Sequence, residues 1–349
     1  MDKKIVLVFV CTIFFWSCNN DSPENEYVPI NLTVKHPENF PEIKYTLSNN
    51  PVTEQGFELG KKLFYDGKLS ANNSIPCAFC HEQAFAFTHH GHTLSHGVNG
   101  GIGFRNSQPI QNLAYFSEFM WDGAASHLDL QPIIPITSDL EMGETLSSIV
   151  DKLKADSYYQ EQFPLAFDDG EINSENILKA LSQFMLMMVS SNSKYDKYVR
   201  KEEGIEFTDT ELEGQSIFKA KCASCHATDL FTDQSYRNTG LPINPKLDDK
   251  GRFNVLENPD DLYKFKVPSL RNVEKSFPYM HDGRFASLEA VLDFYNDGMV
   301  DNGNVDESLL RSDSSFGISL TDEEKGQLIA FLKTLTDDEF LNDTRFAEF

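Results

Sequence analysis

Positive charge is in short supply. The 349-residue chain sets 30 Lys and Arg against 54 Asp and Glu, a formal balance of −24. A phosphate backbone demands a basic face, so nucleic acid is excluded as a partner. An acidic surface instead suits solubility or a basic protein partner, because complementary charge speeds encounter. Long apolar runs are also missing. The run Ile5 to Phe15 is too short for a membrane span, which takes about 20 residues. Tryptophan is nearly absent, with Trp16 and Trp121 the two copies. No cysteine is spare: Cys11 and Cys18 lie near the N-terminus, and the other four form two C-x-x-C pairs. That leaves none for the disulfide framework usual in exported proteins. Hydrophobic residues make up 40% of the chain, enough for a packed core, and the length suits two domains.

Lys3 and Lys4 precede the short apolar run, as in a secretory signal. Ser17-Cys18 resembles a bacterial lipobox, with Cys18 the lipidated residue. Residues 1–18 are therefore expected to be a lipoprotein-type signal and residues 19–44 a tether opening on polar "NNDSPENEYVPI". The expected location is the periplasm or cell envelope, with membrane contact only through a lipid at Cys18.

The two pairs read "CAFCH" at 77–81 and "CASCH" at 222–226. C-x-x-C-H is the attachment signature of c-type haem. Two thiols add to the porphyrin vinyl groups, and the adjacent histidine ligates iron from below. The candidates are thus Cys77, Cys80 and His81 at one haem, and Cys222, Cys225 and His226 at a second. A redox-active C-x-x-C need not carry a histidine in the same slot twice. A four-cysteine zinc site spaces its pairs about 15–20 residues apart, far closer than Cys77 and Cys222.

More of the chain repeats around the pairs. "GKKLF" at Gly60 answers "GQSIF" at Gly214, Arg105-Asn106 answers Arg271-Asn272, and "WDGAASHLDL" from Trp121 answers "HDGRFASLEA" from His281. Two related haem domains are expected, at 45–203 and 204–349. The coarse pattern is helical. Thr208-x-x-Glu211 and Thr321-x-x-Glu324 read as capping boxes, residues 175–191 have helical apolar spacing, and 91–109 and 239–260 read as loops. The methionines of 175–191 read as core rather than as haem ligands.

These motifs, with "RNSQPIQNLAYFSEFMWDG", "KVPSLRNV" and "PYMHDGRFASLEAVLDFY", resemble the bacterial dihaem cytochrome c peroxidase family, including the MauG-type enzymes. The resemblance implies a mainly α fold: two cytochrome-c-like haem domains with long loops and few strands. It implies hydrogen peroxide as substrate, a small electron-donor protein such as cytochrome c as partner, two covalent haems c, a calcium ion and possible homodimerisation. Glu141 is expected to move a proton during peroxide cleavage, with Gln131 nearby, and Trp121 to relay electrons between the haems. His96 is a candidate sixth ligand at the first haem, with His89, His90 and His92 as alternatives; the loop otherwise reads as a polar lining. At the second haem the candidate is Tyr295, as in MauG-type enzymes, with Met299 or Met280 as rivals and a purely structural tyrosine as the bland reading. The Asn106 side chain and the Lys266 and Pro268 carbonyls are carried over as calcium ligands. The rival functions are a MauG-like oxidase of a protein substrate and a non-catalytic dihaem electron carrier or sensor.

Overall fold

The computed structural model describes residues 27–348. Cys11, Cys18 and the expected signal lie outside the described residues. Short helices joined by long loops dominate, and the one sheet among the described residues is a two-stranded antiparallel pair, β1 (Tyr236–Arg237) and β2 (Phe265–Lys266). No helix among them is long and apolar enough to cross a membrane.

Each half is organised on one crossed helix pair. In the first, α1 (Glu54–Tyr65) begins at Thr53, whose side chain accepts from the Gly56 N–H. It crosses α2 (Ser174–Met187), which begins at Asn173. Their buried faces meet through Phe57, Leu63 and Phe64 on one side and Leu181, Phe184 and Met185 on the other. Gly60 sits at the crossing, where an added Cβ would fall 1.9 Å from the Ala180 carbonyl oxygen. In the second half, α3 (Asp209–Lys221) crosses α5 (Asp322–Lys333), and both open on complete capping boxes, Thr208 with Glu211 and Thr321 with Glu324. Gly214 repeats the role of Gly60, its Cβ position lying 2.0 Å from the Gln327 carbonyl oxygen. The repeated glycine is thus a contact requirement, because only a missing side chain lets the backbones come this close.

The apolar run 175–191 is helical only to Met187, after which the chain turns to carry Ser190 and Ser191 into the seam. The expected loop 239–260 contains one helical turn, Phe253–Leu256. Between α3 and α5, α4 (Leu288–Asp293) runs into a π-turn at Phe294–Gly298. Residues 31–44, expected within a tether, pack on the first core. Val34 and Phe40 are buried there, and Leu32 N–H donates to the Val52 carbonyl at 2.8 Å. Two apolar residues spaced six apart leave no periodic signal, so composition alone reads them as linker.

The halves are stitched reciprocally by the repeated Arg-Asn motif. Arg105 makes a two-pronged pair with Asp249 in the second half (2.6 and 2.8 Å) and also reaches Asp122. Arg271 returns the exchange with Asp196 in the first half (2.7 and 2.9 Å), both side chains fully buried. Asn272 bonds Gln111 and Ser190, and Asp337 accepts from the backbone of Ser191 and Asn192.

Candidate functional site

Cys77–Cys80 form a single helical turn, and His81 leaves it. The His81 ring places Nδ1 2.7 Å from the Phe87 carbonyl oxygen, and the His226 ring places Nδ1 3.1 Å from that of Phe231. An Nδ1–H donating to each carbonyl leaves Nε2 free to ligate a metal, the arrangement that orients ligating histidines. Burial lowers the proton affinity of both rings, which keeps that lone pair available. The four thiols are unpaired. Burial pushes those of Cys77, Cys80 and Cys222 up to about 12.

Each C-x-x-C-H turn forms a wall of a cavity, of about 170 Å³ in the first half and 260 Å³ in the second. Two unpaired thiols, an oriented neutral imidazole and a large apolar cleft fit a covalently held haem at each site.

The first cavity brings Glu141, Gln131 and His96 to one lining. Glu141 Oε1 accepts from Ser95 Oγ at 2.6 Å, and its carbonyl accepts from Val98 N–H, so the 95–103 loop clasps it. Gln131 donates weakly to the Met120 sulfur. Of the loop histidines, His96 reaches the lining, while His89, His90 and His92 sit behind it. His89 stacks on His92 at 4.2 Å, and His92 meets His96 edge-on at 4.4 Å. Burial, then the neighbouring imidazoles, push His89 down to about 4.

The second cavity is lined by Tyr295 and Met280, whereas Met299 is not among its lining residues. Tyr295 sits in the π-turn, a distortion common where a side chain must be re-aimed. Burial, with the Cys222 and Cys225 thiols close by, raises its phenol above the ordinary value.

Trp121, Asn106, Lys266 and Pro268 contact both cavities and form the partition between them. Trp121 is buried; its Nε1–H donates to the Asn106 carbonyl at 2.9 Å, and its own carbonyl accepts from Lys266 N–H at 2.7 Å. Asn106 Nδ2 donates to the carbonyls of His92 and Thr93. Burial lowers the Lys266 ammonium to about 8. Ser95 and Arg105 also line the first cavity and were not singled out as site residues from sequence. Ser95 lies 46 positions from its carboxylate partner, so no local pattern links them. Arg105 carried a signal, since its Arg-Asn motif recurs at 271.

The model of the di-haem cytochrome c peroxidase family matches residues 54–204. The methylamine utilization protein MauG of Methylorubrum extorquens is 35% identical over 324 residues, covering 90% of this chain and 86% of that protein. The cytochrome c551 peroxidase of Nitrosomonas europaea is 34% identical, covering 81% of this chain and 80% of its own length. A solved MauG-like protein associated with microbial copper homeostasis is 32% identical and superposes with a TM-score of 0.80 over 90% of this chain and 99% of that one. Two cavities with matching attachment turns, and relatives of this closeness across nearly the whole length, lead to one conclusion: the chain belongs to the di-haem cytochrome c peroxidase family.

Proposed function

We propose that the chain reduces hydrogen peroxide to water with electrons from a small periplasmic donor such as cytochrome c. Haem held at the first site would supply the iron chemistry that peroxide reduction needs. Cys77 and Cys80 would hold that group and His81 Nε2 would ligate it; Cys222, Cys225 and His226 would do the same at the second site. Glu141 takes a proton from one peroxide oxygen and delivers it to the other. Ser95 aims the carboxylate, and Gln131 borders the same space. His96, on that lining, is the loop histidine that would cap the first site. Tyr295 would ligate the metal of the second site, with Met280 the rival on the same lining. Trp121 passes electrons across the partition. Asn106, Lys266 and Pro268, converging at that partition, hold calcium through oxygen ligands.

The observation that carries the reading is Glu141, held by Ser95 on the lining of the cavity that His81 borders. The test is turnover of the purified two-haem protein. Two reduced cytochromes c oxidised per peroxide are expected. Rapid reaction with peroxide but no oxidation of any donor overturns the peroxidase reading.

A second reading, oxidation of a residue in a partner protein, is favoured by Tyr295 on the second lining where Met299 is absent. It predicts a mass change in a co-purified or co-expressed partner on peroxide addition, with negligible cytochrome c turnover.

A further inference from the structure

The partition tryptophan has no route to the surface through a second tryptophan, because Trp121 is the only one in residues 27–348. The two-stranded sheet supplies another. Lys266 of β2 bonds the Trp121 carbonyl and faces Tyr236 of β1 in register. Side chains alternate along a strand. Arg237 lines the second cavity, and Tyr236, absent from that lining, faces the other way. There its hydroxyl packs onto Gly123, two residues past Trp121. A Cβ built on Gly123 would fall 2.1 Å from the Tyr236 Oη, so the phenol abuts the turn that carries the tryptophan.

The surroundings of the two rings differ in one decisive respect. Trp121 Nε1–H donates to a backbone carbonyl, which takes no proton. Oxidised Trp121 therefore stays a cation and a strong oxidant. Tyr236 Oη–H donates to Glu118 Oε2 at 2.8 Å, and a carboxylate accepts a proton. The Arg252 guanidinium lies 3.7 Å above the phenol ring, pairs loosely with Glu118 at 3.4 Å and donates to the Asp122 carbonyl. A cation there opposes positive charge on the ring, so the phenol is oxidised only with loss of its proton. Glu118 is 37% exposed and Tyr236 half-buried, so the pair reaches solvent.

Building on the peroxidase reading above, we propose that Tyr236 is the surface terminus of the Trp121 relay, where a one-electron donor protein delivers its electrons. An electron passes from Tyr236 to oxidised Trp121, and the phenolic proton moves to Glu118. The neutral phenoxyl then takes one electron from the docked donor and recovers the proton from Glu118. Tyrosine and tryptophan both end unchanged, and peroxide is the terminal oxidant.

The test uses the two-haem protein grown with ring-deuterated tyrosine, mixed with hydrogen peroxide without donor and freeze-quenched for EPR. A tyrosyl signal narrowed by deuterium is expected. It is lost in Tyr236→Phe, reduced in Trp121→Phe and in Glu118→Gln, and retained in Tyr158→Phe, an exposed tyrosine of the first half. Tryptic mass spectrometry should find oxygenation concentrated at Tyr236. A tyrosyl signal unchanged in Tyr236→Phe overturns the relay, as does a purely tryptophanyl signal in the unsubstituted protein. A haem spectrum that peroxide does not alter overturns the relay together with the peroxidase reading beneath it. A spectrum that responds while Tyr236→Phe changes nothing overturns the relay alone.

Discussion

Glu141 is a single carboxylate held by a single hydroxyl, and the difference between the two sets the expected effects. Glu141→Gln removes the proposed proton carrier and should lower peroxide turnover by about 10²–10⁴-fold, with both haem spectra retained. Ser95→Ala removes only the 2.6 Å aiming contact. A hydrogen bond of this kind contributes about 1.5–3 kcal/mol, so the loss should be roughly tenfold to a hundredfold. Steady-state kinetics separate the two, and equal losses would place Ser95 in the proton transfer itself. At the second site, Tyr295→Met would exchange the proposed oxygen ligand for a thioether, which raises haem potentials. A spectroelectrochemical titration should find that haem shifted upward; an unmoved potential would remove Tyr295 from the iron. Motif order pointed to Glu141 and Tyr295, as local spacing pointed to the C-x-x-C-H pairs. The Ser95 contact was not, since hydrogen bonds between distant loops leave no periodic trace.

The helix crossings test the element scale. Replacing Gly214 with Ala gains about 1 kcal/mol of helix propensity. It also puts a methyl 2.0 Å from the Gln327 carbonyl oxygen, and overpacking costs about 1–3 kcal/mol. The clash should win, leaving a net loss on the order of 1 kcal/mol in denaturant unfolding. A more stable Gly214→Ala protein would mean that α3 and α5 can separate freely. The capping boxes at Thr208 and Thr321 were readable because the helix start is a local code. The π-turn at 294–298 was not, although it carries Tyr295. Its extra residue per turn follows from fitting α4 between the cavity and the 308–318 segment, with Ile318 N–H bonded to the Tyr295 carbonyl.

For the whole molecule, the seam is the vulnerable part. Burial alone would raise the Asp196 carboxyl, but the hydrogen bonds and charge of Arg271, with Ser193, hold it below the ordinary 3.8. A carboxylate depressed in the folded state stabilises above its unfolded value, and that contribution is lost as pH falls through the folded one. The holoprotein should therefore lose stability below about pH 4. Arg271→Met leaves the Asp196 carboxylate buried without its cation and should cost about 3–5 kcal/mol at pH 7. Denaturant midpoints measured across pH 3–7 check both statements, and a flat profile would contradict the first. Calcium chelation should lower turnover, with recovery on adding Ca²⁺ but not Mg²⁺, whose strict octahedral demand suits backbone carbonyls poorly. Turnover unaffected by chelation would remove that ion from the partition.

The amino-acid sequence by itself determined the attachment chemistry, the duplication and the helical class. Each is written in short-range spacing: two thiols and an imidazole within five residues, a repeated order of motifs, and apolar periodicity. Tertiary structure alone decided how the two halves share one partition. The reciprocal Arg105–Asp249 and Arg271–Asp196 pairs, the clasp of Ser95 on Glu141, the docking of residues 31–44 and the packing of Tyr236 on Gly123 join positions far apart in the chain. Such contacts form only once both cores have closed, because burial gives the buried ion pairs and aimed hydrogen bonds their strength and removes water as a competitor.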